Sequence, residues 1–436
     1  MSMVARAPRI AHLVLDFDQT VTISDTLAIL ASASPLPDAN AVFSALTDAY
    51  LKDYAAHSES YPTPTSVQDE AAFLASLRSV EQRSIERVEA SGLFKGVTTA
   101  DIAAAARRVA VRRPTELAAL MSQVLRGNYT TCACAPCDAN IQSGRVVAGR
   151  VSIVSVNWSE TFIRHVLLTL SASERTAEAD FARVEIYANN LVAESSDGGG
   201  VATGKLDRRF GAHGLWTAAD KLRILDDILA IHSSLSSNSL PSSPSSSCLQ
   251  SSRTGPPPPG GSDLASQPAP AAVDTAGTGV ENFPPPQPPR SEDNGERGGI
   301  SLREGYECGW CERGLTVYVG DSATDFAALV LHDRVDRGIV MGCSQRDNGS
   351  LLAICRRRGV KVLSRDGIRE GDAEGDGEKE GGRGGASHET ELQQLAGGDG
   401  DGDWDGAPLR PLYRVAGWSE LLECLRHPDR WKYSLT

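Results

Sequence analysis

Residues 10–18, IAHLVLDFD, form a short apolar run that meets two carboxylates at its C-terminal end. Such a run reads as a parallel strand buried on both faces. Functional groups at its tip then lie where ligands bind in open α/β sheets, beyond the carboxyl ends of the strands. Few folds suit that arrangement. Further apolar runs follow at RVSIVSV, ARVEIYANN, LTVYVGD, GIVMG and VKVLS. Helical spacing of apolar residues recurs between them, over 161–170 and 220–231, and the chain closes on an amphipathic GWSELLECLRHP. Strands alternating with helices predict an α/β fold, a mostly parallel sheet covered on both faces.

One long stretch breaks the alternation. Residues 25–111 hold DTLAILASAS, VFSALTDAYLKDYAA, DEAAFLASLRSVEQRSIERVEAS and TTADIAAAARRVAV, each with apolar residues three and four apart. Helices lodged directly after the first strand read as a cap domain. A helix over 114–125 starts at a Pro-Thr-Glu suited to a first turn. LVAESSDGGG with VATGKLDRRF suggests a hairpin. Gly199 to Leu206 also matches GxxxxGK, but a leucine stands where a P-loop needs Ser or Thr, and no buried strand precedes it.

Two tracts cannot bury enough apolar surface to offset their ordering entropy. Residues 233–303 are Ser-rich and then Pro-rich, and 371–406 are Gly-rich and acidic; both are expected to be disordered insertions. The expected organisation is therefore core (1–24), helical cap (25–111), core (112–232), insertion (233–303), core (304–370), insertion (371–406) and a C-terminal core helix (407–436). The formal net charge is -13, which argues against nucleic acid or an anionic membrane as partner. No apolar stretch approaches the roughly 20 residues that span a bilayer. Nine scattered cysteines and no signal peptide before the first apolar run point to a reducing, cytoplasmic home. Cys132, Cys134 and Cys137 form CxCxxC, but no fourth zinc ligand stands nearby. Pro285 to Arg290 fits the PxxPxR form that SH3 domains accept, a match that Pro-rich tracts also produce by chance.

Four elements carry chemistry. In DFDQT, Asp16 and Asp18 are two carboxylates that are costly to hold together without a cation between them. Magnesium, which prefers carboxylate, carbonyl, water and phosphate oxygens, suits the position. Asp16 can attack phosphorus while Asp18 protonates a leaving oxygen and later activates water. A strand-end turn or helix cap would use the same residues. Ser155, ending RVSIVSV, can hydrogen-bond a phosphate oxygen, though serine ends many strands harmlessly. Lys221 opposes the dipole at a helix start and can balance a transferring phosphoryl group; a solvated surface lysine is the plainer alternative. In VYVGDSATD, Gly320 permits a tight turn, Asp321 is a metal-ligand candidate, and Asp325 can orient a metal-bound water or Ser322. A glycine turn with a helix cap is the plainer alternative for that segment.

A DxDxT strand, a serine strand, a lysine and then GDSxxD resemble the four motifs of haloacid-dehalogenase-type phosphatases, and the cap after the first motif is similar to the phosphoserine-phosphatase branch. The resemblance implies a Rossmann-like core, Mg2+, an aspartyl-phosphate at Asp16 and acid–base work by Asp18. It also implies metal held by Asp16, the Asp18 main-chain carbonyl and Asp321, with Asp325 beside them. Family dehalogenases lack the second Asp, so ester hydrolysis is favoured over carbon–halogen cleavage. The chain departs from the branch at Ser155-Val156-Asn157-Trp158, where the family pattern is Ser-Gly-Gly; this puts phosphoserine in doubt. SVNWS with ERVEASGLFKG looks more like a group of fungal hydrolases, which in turn resemble plant thiamine-phosphate phosphatases. Expected substrate contacts are Ser155, Asn157 and Lys221, with a small phosphorylated metabolite as substrate, thiamine monophosphate and phosphoserine-like compounds among the candidates. Arg83, Glu86 and Arg87 in the cap either choose the substrate or form a solvated face. A protein phosphatase or phosphotransferase with the same chemistry, and a non-catalytic scaffold for the Pro-rich segment, are the competing readings.

Overall fold

The computed structural model describes residues 9–127, 148–170, 179–194, 200–210, 214–237, 314–342, 349–365, 409–427 and 431–433, all within one compact unit. Eight strands build its main sheet: β1 (Ile10–Leu15), β3 (Arg150–Val154), β4 (Glu185–Tyr187), β7 (Leu315–Gly320), β8 (Arg337–Met341), β9 (Val362–Arg365), β10 (Leu412–Val415) and β11 (Trp431–Tyr433). Their order is β11-β9-β10-β8-β7-β1-β3-β4, with every pairing parallel except β11 on β9. β1 therefore lies between β3 and β7, where the chain's winding reverses. That is the position at which open α/β sheets present their ligand crevice.

Alternation along the strands divides the interior in two. Leu13, Leu15, Val317, Val319, Ile339 and Met341 face a cluster shared with α6 (Pro114–Arg126), α7 (Glu160–Leu170) and α11 (Trp418–Arg426). Val14, Tyr318 and Val340 face a second cluster shared with α8 (Ala218–Ser237), α9 (Phe326–Val330) and α10 (Gly349–Arg357). Helix α6 shows how sequence sets such an element. Pro114 opens it, Leu117, Leu120, Met121, Val124 and Leu125 bury one face, and Gly127 closes it at φ 67°. Each of these fully buried aliphatic side chains stabilises the fold by about 1.5–3 kcal/mol relative to exposure.

The segment between β1 and α6 holds α1 (Leu27–Ala31), α2 (Ala39–Ser60), α3 (Val67–Ser76), α4 (Arg78–Ser91), β2 (Lys95–Thr98) and α5 (Thr99–Ala106). The single helical pattern over 69–91 breaks at Leu77, whose side chain is buried with Val67, Leu74 and Val80 against the second cluster. Two ion pairs fasten this corner: Arg78 to Asp220 at 2.6 Å and Arg358 to the buried Glu70 at 2.8 Å. The segment is also not purely helical. β2 joins β6 (Val201–Leu206) and β5 (Leu191–Glu194) in an antiparallel sheet ordered β2-β6-β5. The expected hairpin is thus present, and a third strand covers its edge. Gly204 at φ 88° leaves room for Lys95 alongside, so Val201–Leu206, which carries the GK of that match, is a strand and not a P-loop.

β10 and α10 stand where no element was expected. LYRV is four residues long and joins by slotting between β8 and β9, a tertiary cue that local pattern does not carry. Helix α8 continues to Ser237, past the expected start of the Ser-rich tract. Cys132, Cys134, Cys137, the tract 371–406 and the segment Pro285 to Arg290 lie outside the described residues. Among the described residues, no helix is long and apolar enough to cross a membrane.

Candidate active site

Three neighbouring strands end together: β1 delivers Asp16, β3 delivers Ser155 and β7 delivers Asp321. Asp16 continues the ladder, its N–H donating to Val319 O at 2.8 Å. Beyond Asp18, Gln19 adopts a left-handed φ of 58°, unusual for a side chain of that size. Thr22 Oγ1 accepts from its N–H at 3.0 Å and Arg112 Nη2 donates to its carbonyl at 2.9 Å, which holds the turn. The turn brings Thr20 Oγ1 back to donate to Asp321 Oδ1 at 2.6 Å.

Lys221 is wholly buried, so the reading of a solvated surface lysine falls. Its Nζ lies 2.8 Å from Asp16 Oδ1 and 2.7 Å from Asp325 Oδ1. Asp325 also accepts from Tyr318 Oη at 2.8 Å, from the N–H groups of Asp321 and Ser322 at 3.2 Å each, and from Ser322 Oγ at 2.9 Å. With both oxygens so engaged, Asp325 anchors Lys221 and the β7 turn, and has little capacity left to ligate a metal or to orient water. Gly320 exists for this contact: a Cβ there would stand 2.4 Å from Asp325 Cγ.

Asp16, Asp321 and Asp325 are all buried and each offers an oxygen within 4.8 Å of the others. Burial is the chief reason that Asp16 is held well above the usual carboxylate range; the charges of Asp325 and Asp321 add to it and Lys221 opposes it. Burial, then the Asp325 charge, pushes Asp321 up to about 7. Burial also works to raise Asp325, but the charge and hydrogen bonds of Lys221 and Tyr318 outweigh it, and Asp325 lies below its ordinary value. Lys221 is raised, because Asp16 and Asp325 together overcome its burial. One lysine thus faces three buried carboxylates. Asp16 and Asp321 retain uncompensated charge, and a hard dication bound by oxygen fits that deficit.

The Asp18 carboxylate lies outside that trio. Oδ1 accepts from Thr26 N at 2.9 Å and Thr26 Oγ1 at 2.6 Å, and Oδ2 accepts from Asn157 Nδ2 at 3.0 Å. Burial, with the nearby Asp25, pushes Asp18 up to about 6 despite these donors. Its carboxylate is thus turned to Thr26 and Asn157 and not to the trio. Ser155 is buried, and its Oγ accepts from Asn157 N at 3.1 Å, leaving its proton to donate.

Other expectations change. The Asn157 amide is fully engaged with Asp18, Thr26 and Ser159, so it does not reach for substrate as expected. Arg83 and Arg87 both bind Asp53 of α2 and hold the cap helices together, while Glu86 is exposed and accepts from Gln82 on its own helix, as a solvated face would have it. Sequence reasoning gave no role to Thr20, Thr26 or Tyr318. Tyr318 had one signal, a hydroxyl on a central strand that needs a buried partner.

No protein-family model matches the chain. A CTO1 family protein of Schizosaccharomyces pombe is 26% identical over 210 residues, a match spanning 48% of this chain and 66%, just under two thirds, of that relative's length. Among solved structures, a phospho-aspartyl intermediate analogue of phosphoserine phosphatase is similar at 13% identity and TM-score 0.33, covering 80% of this chain and 98% of that one. A HAD family hydrolase from Salmonella enterica serovar Typhi is similar at 11% identity and TM-score 0.34, covering 79% and 66%. With scores this low, the placement of this chain's own residues carries the weight.

Proposed function

We propose that this protein is a phosphatase of the haloacid-dehalogenase type, hydrolysing a small phosphomonoester through an aspartyl-phosphate on Asp16. The observation that carries the reading is Asp16 at the tip of the central strand, touching buried Lys221 and lying beside Asp321. Asp16 and Asp321, with the Asp18 carbonyl, would hold Mg2+. A bound Mg2+ supplies positive charge that neutralises phosphate oxygens and keeps both carboxylates ionised.

Asp16 attacks phosphorus while the ester P–O bond breaks and Asp18 gives its proton to the leaving oxygen. Asp18, now a carboxylate, takes a proton from water as that water attacks phosphorus and the bond to Asp16 breaks. Phosphate leaves and both carboxyls are restored. A carboxyl near 6 suits both halves of this exchange at neutral pH. Lys221 balances the charge on Asp16 and the phosphoryl group, and Ser155 donates to a phosphate oxygen.

Trp158 supports a substrate other than phosphoserine. It packs edge-on against Phe43 and Phe94, directly after Val156 and Asn157, which put side-chain bulk where the branch carries glycine. Thiamine monophosphate stays among the candidates. The buried free thiols Cys355 and Cys424 support a reducing compartment. The test is turnover of p-nitrophenyl phosphate and a phosphometabolite panel with Mg2+ and with EDTA. Hydrolysis lost in EDTA and restored by Mg2+ is expected; no hydrolysis of any phosphomonoester would sink the proposal.

A further inference from the structure

We infer that Asn157 is a positioning residue for Asp18, acting on protonation of the leaving group and not on substrate binding. The inference rests on the general acid/base role proposed for Asp18. Asn157 is buried, and its amide is oriented by Ser159 N, which donates to Oδ1 at 3.2 Å. Both amide protons are thereby turned toward the β1 side. One goes to Asp18 Oδ2 at 3.0 Å and the other to Thr26 Oγ1 at 3.1 Å. Thr26 Oγ1, accepting there, spends its own proton on Asp18 Oδ1 at 2.6 Å.

A carboxylate has about four lone-pair sites. Thr26 fills two on Oδ1 through its N–H and hydroxyl, and Asn157 fills one on Oδ2. The open site is therefore on Oδ2, the oxygen that Asn157 holds, and this is where Asp18 carries the transferable proton. Asn157 is itself anchored: Asn189 Nδ2 donates to its carbonyl at 3.2 Å and to Leu215 O at 2.8 Å, and Asn189 Oδ1 accepts from Leu215 N at 2.9 Å. Asn189 is fully buried. Loop, amide and carboxyl thus form one rigid chain that aims a proton. Loss of Asn157 frees the carboxyl to rotate away from the leaving oxygen without altering the groups that bind phosphate.

The test uses the full chain with Mg2+ and two probes of similar shape, p-nitrophenyl phosphate and phenyl phosphate. The first departs with little help, whereas the second needs protonation. kcat/KM reports the phosphorylation step alone, so slow hydrolysis of the intermediate does not interfere. In Asn157→Ala the ratio of kcat/KM between the nitrophenyl and phenyl esters should rise about tenfold or more, within the range general acids supply. Asp18→Asn should raise it at least as far, and the double variant no further than Asp18→Asn, since one residue acts through the other. Equal loss on both esters, or multiplying effects of the two substitutions, overturns the inference. Failure of the unaltered chain to hydrolyse either ester overturns the phosphatase assignment beneath it. If Asn157→Ala does not fold, Asn157→Ser gives the same ratio test.

Discussion

Lys221→Met replaces the one cation among three buried carboxylates with an apolar side chain of similar length. Lys221 Nζ stands 2.8 Å from Asp16 and 2.7 Å from Asp325. At an effective dielectric constant of about 20, each contact is worth roughly 6 kcal/mol of attraction. Hydration regained by the lysine in the unfolded chain offsets much of this. Breaking a buried pair by removing one partner costs about 3–5 kcal/mol, because the remaining charge is left uncompensated. The expected loss is therefore about 3–5 kcal/mol, read by urea unfolding at neutral pH in EDTA so that no added cation substitutes for the lysine. Adding Asp16→Asn discriminates the cause. Lys221 is the donor to the Asp16 carboxylate among the described residues, so an amide there loses nothing once the lysine is gone. Lys221→Met/Asp16→Asn should be more stable than Lys221→Met by about 1 kcal/mol or more, the scale of one relieved buried charge. A single variant within about 1 kcal/mol of the unaltered protein, or a double variant less stable than the single, refutes the reasoning.

Glu81, which accepts from Tyr50 Oη at 2.8 Å, is pushed by burial from 4.5 up to about 7. The folded chain holds this proton more tightly than the unfolded chain, so the stability it contributes is full below pH 4.5 and lost as pH rises through about 7. The loss is at most about 3 kcal/mol; Glu81→Gln should abolish it, seen as a gap between variant and unaltered protein that widens from pH 5 to pH 8, and a pH-independent gap refutes it. Gly320→Ala forces a methyl to within 2.4 Å of Asp325 Cγ and displaces the anchor of Lys221. A fall in kcat of about 10²-fold is expected from a displacement near 1 Å, and activity within threefold of the unaltered protein contradicts it.

The sheet's centre was legible because burial on both faces leaves a plain signature: IAHLVL and LTVYVG are mostly apolar and each is followed directly by an aspartate. Asp16, Ser155 and Asp321 lie on neighbouring strand ends, which gather at one edge whatever the intervening length, and Lys221 reaches Asp16 from a helix. Partnering was not legible. Asn157 was expected to touch substrate, but whether an amide turns to solvent or to a neighbouring carboxylate depends on the direction of the Ser159 N–H beside it and on Thr26, 131 residues away along the chain. Arg83 and Arg87 have the spacing of a polar face, and it is the packing of α2 against α4 that brings Asp53 to them. β2, a short KGVT strand, draws its partner from a segment about a hundred residues away, a long-range pairing that no local pattern announces.

The most direct test of the account is acid-quenched mass spectrometry during turnover of p-nitrophenyl phosphate with Mg2+, mapping any acyl phosphate to its peptide. The account predicts a phosphoryl adduct on Asp16 of the unaltered protein, and neither adduct nor turnover in Asp16→Asn. Turnover that persists in Asp16→Asn, or an adduct that maps to another residue, contradicts it.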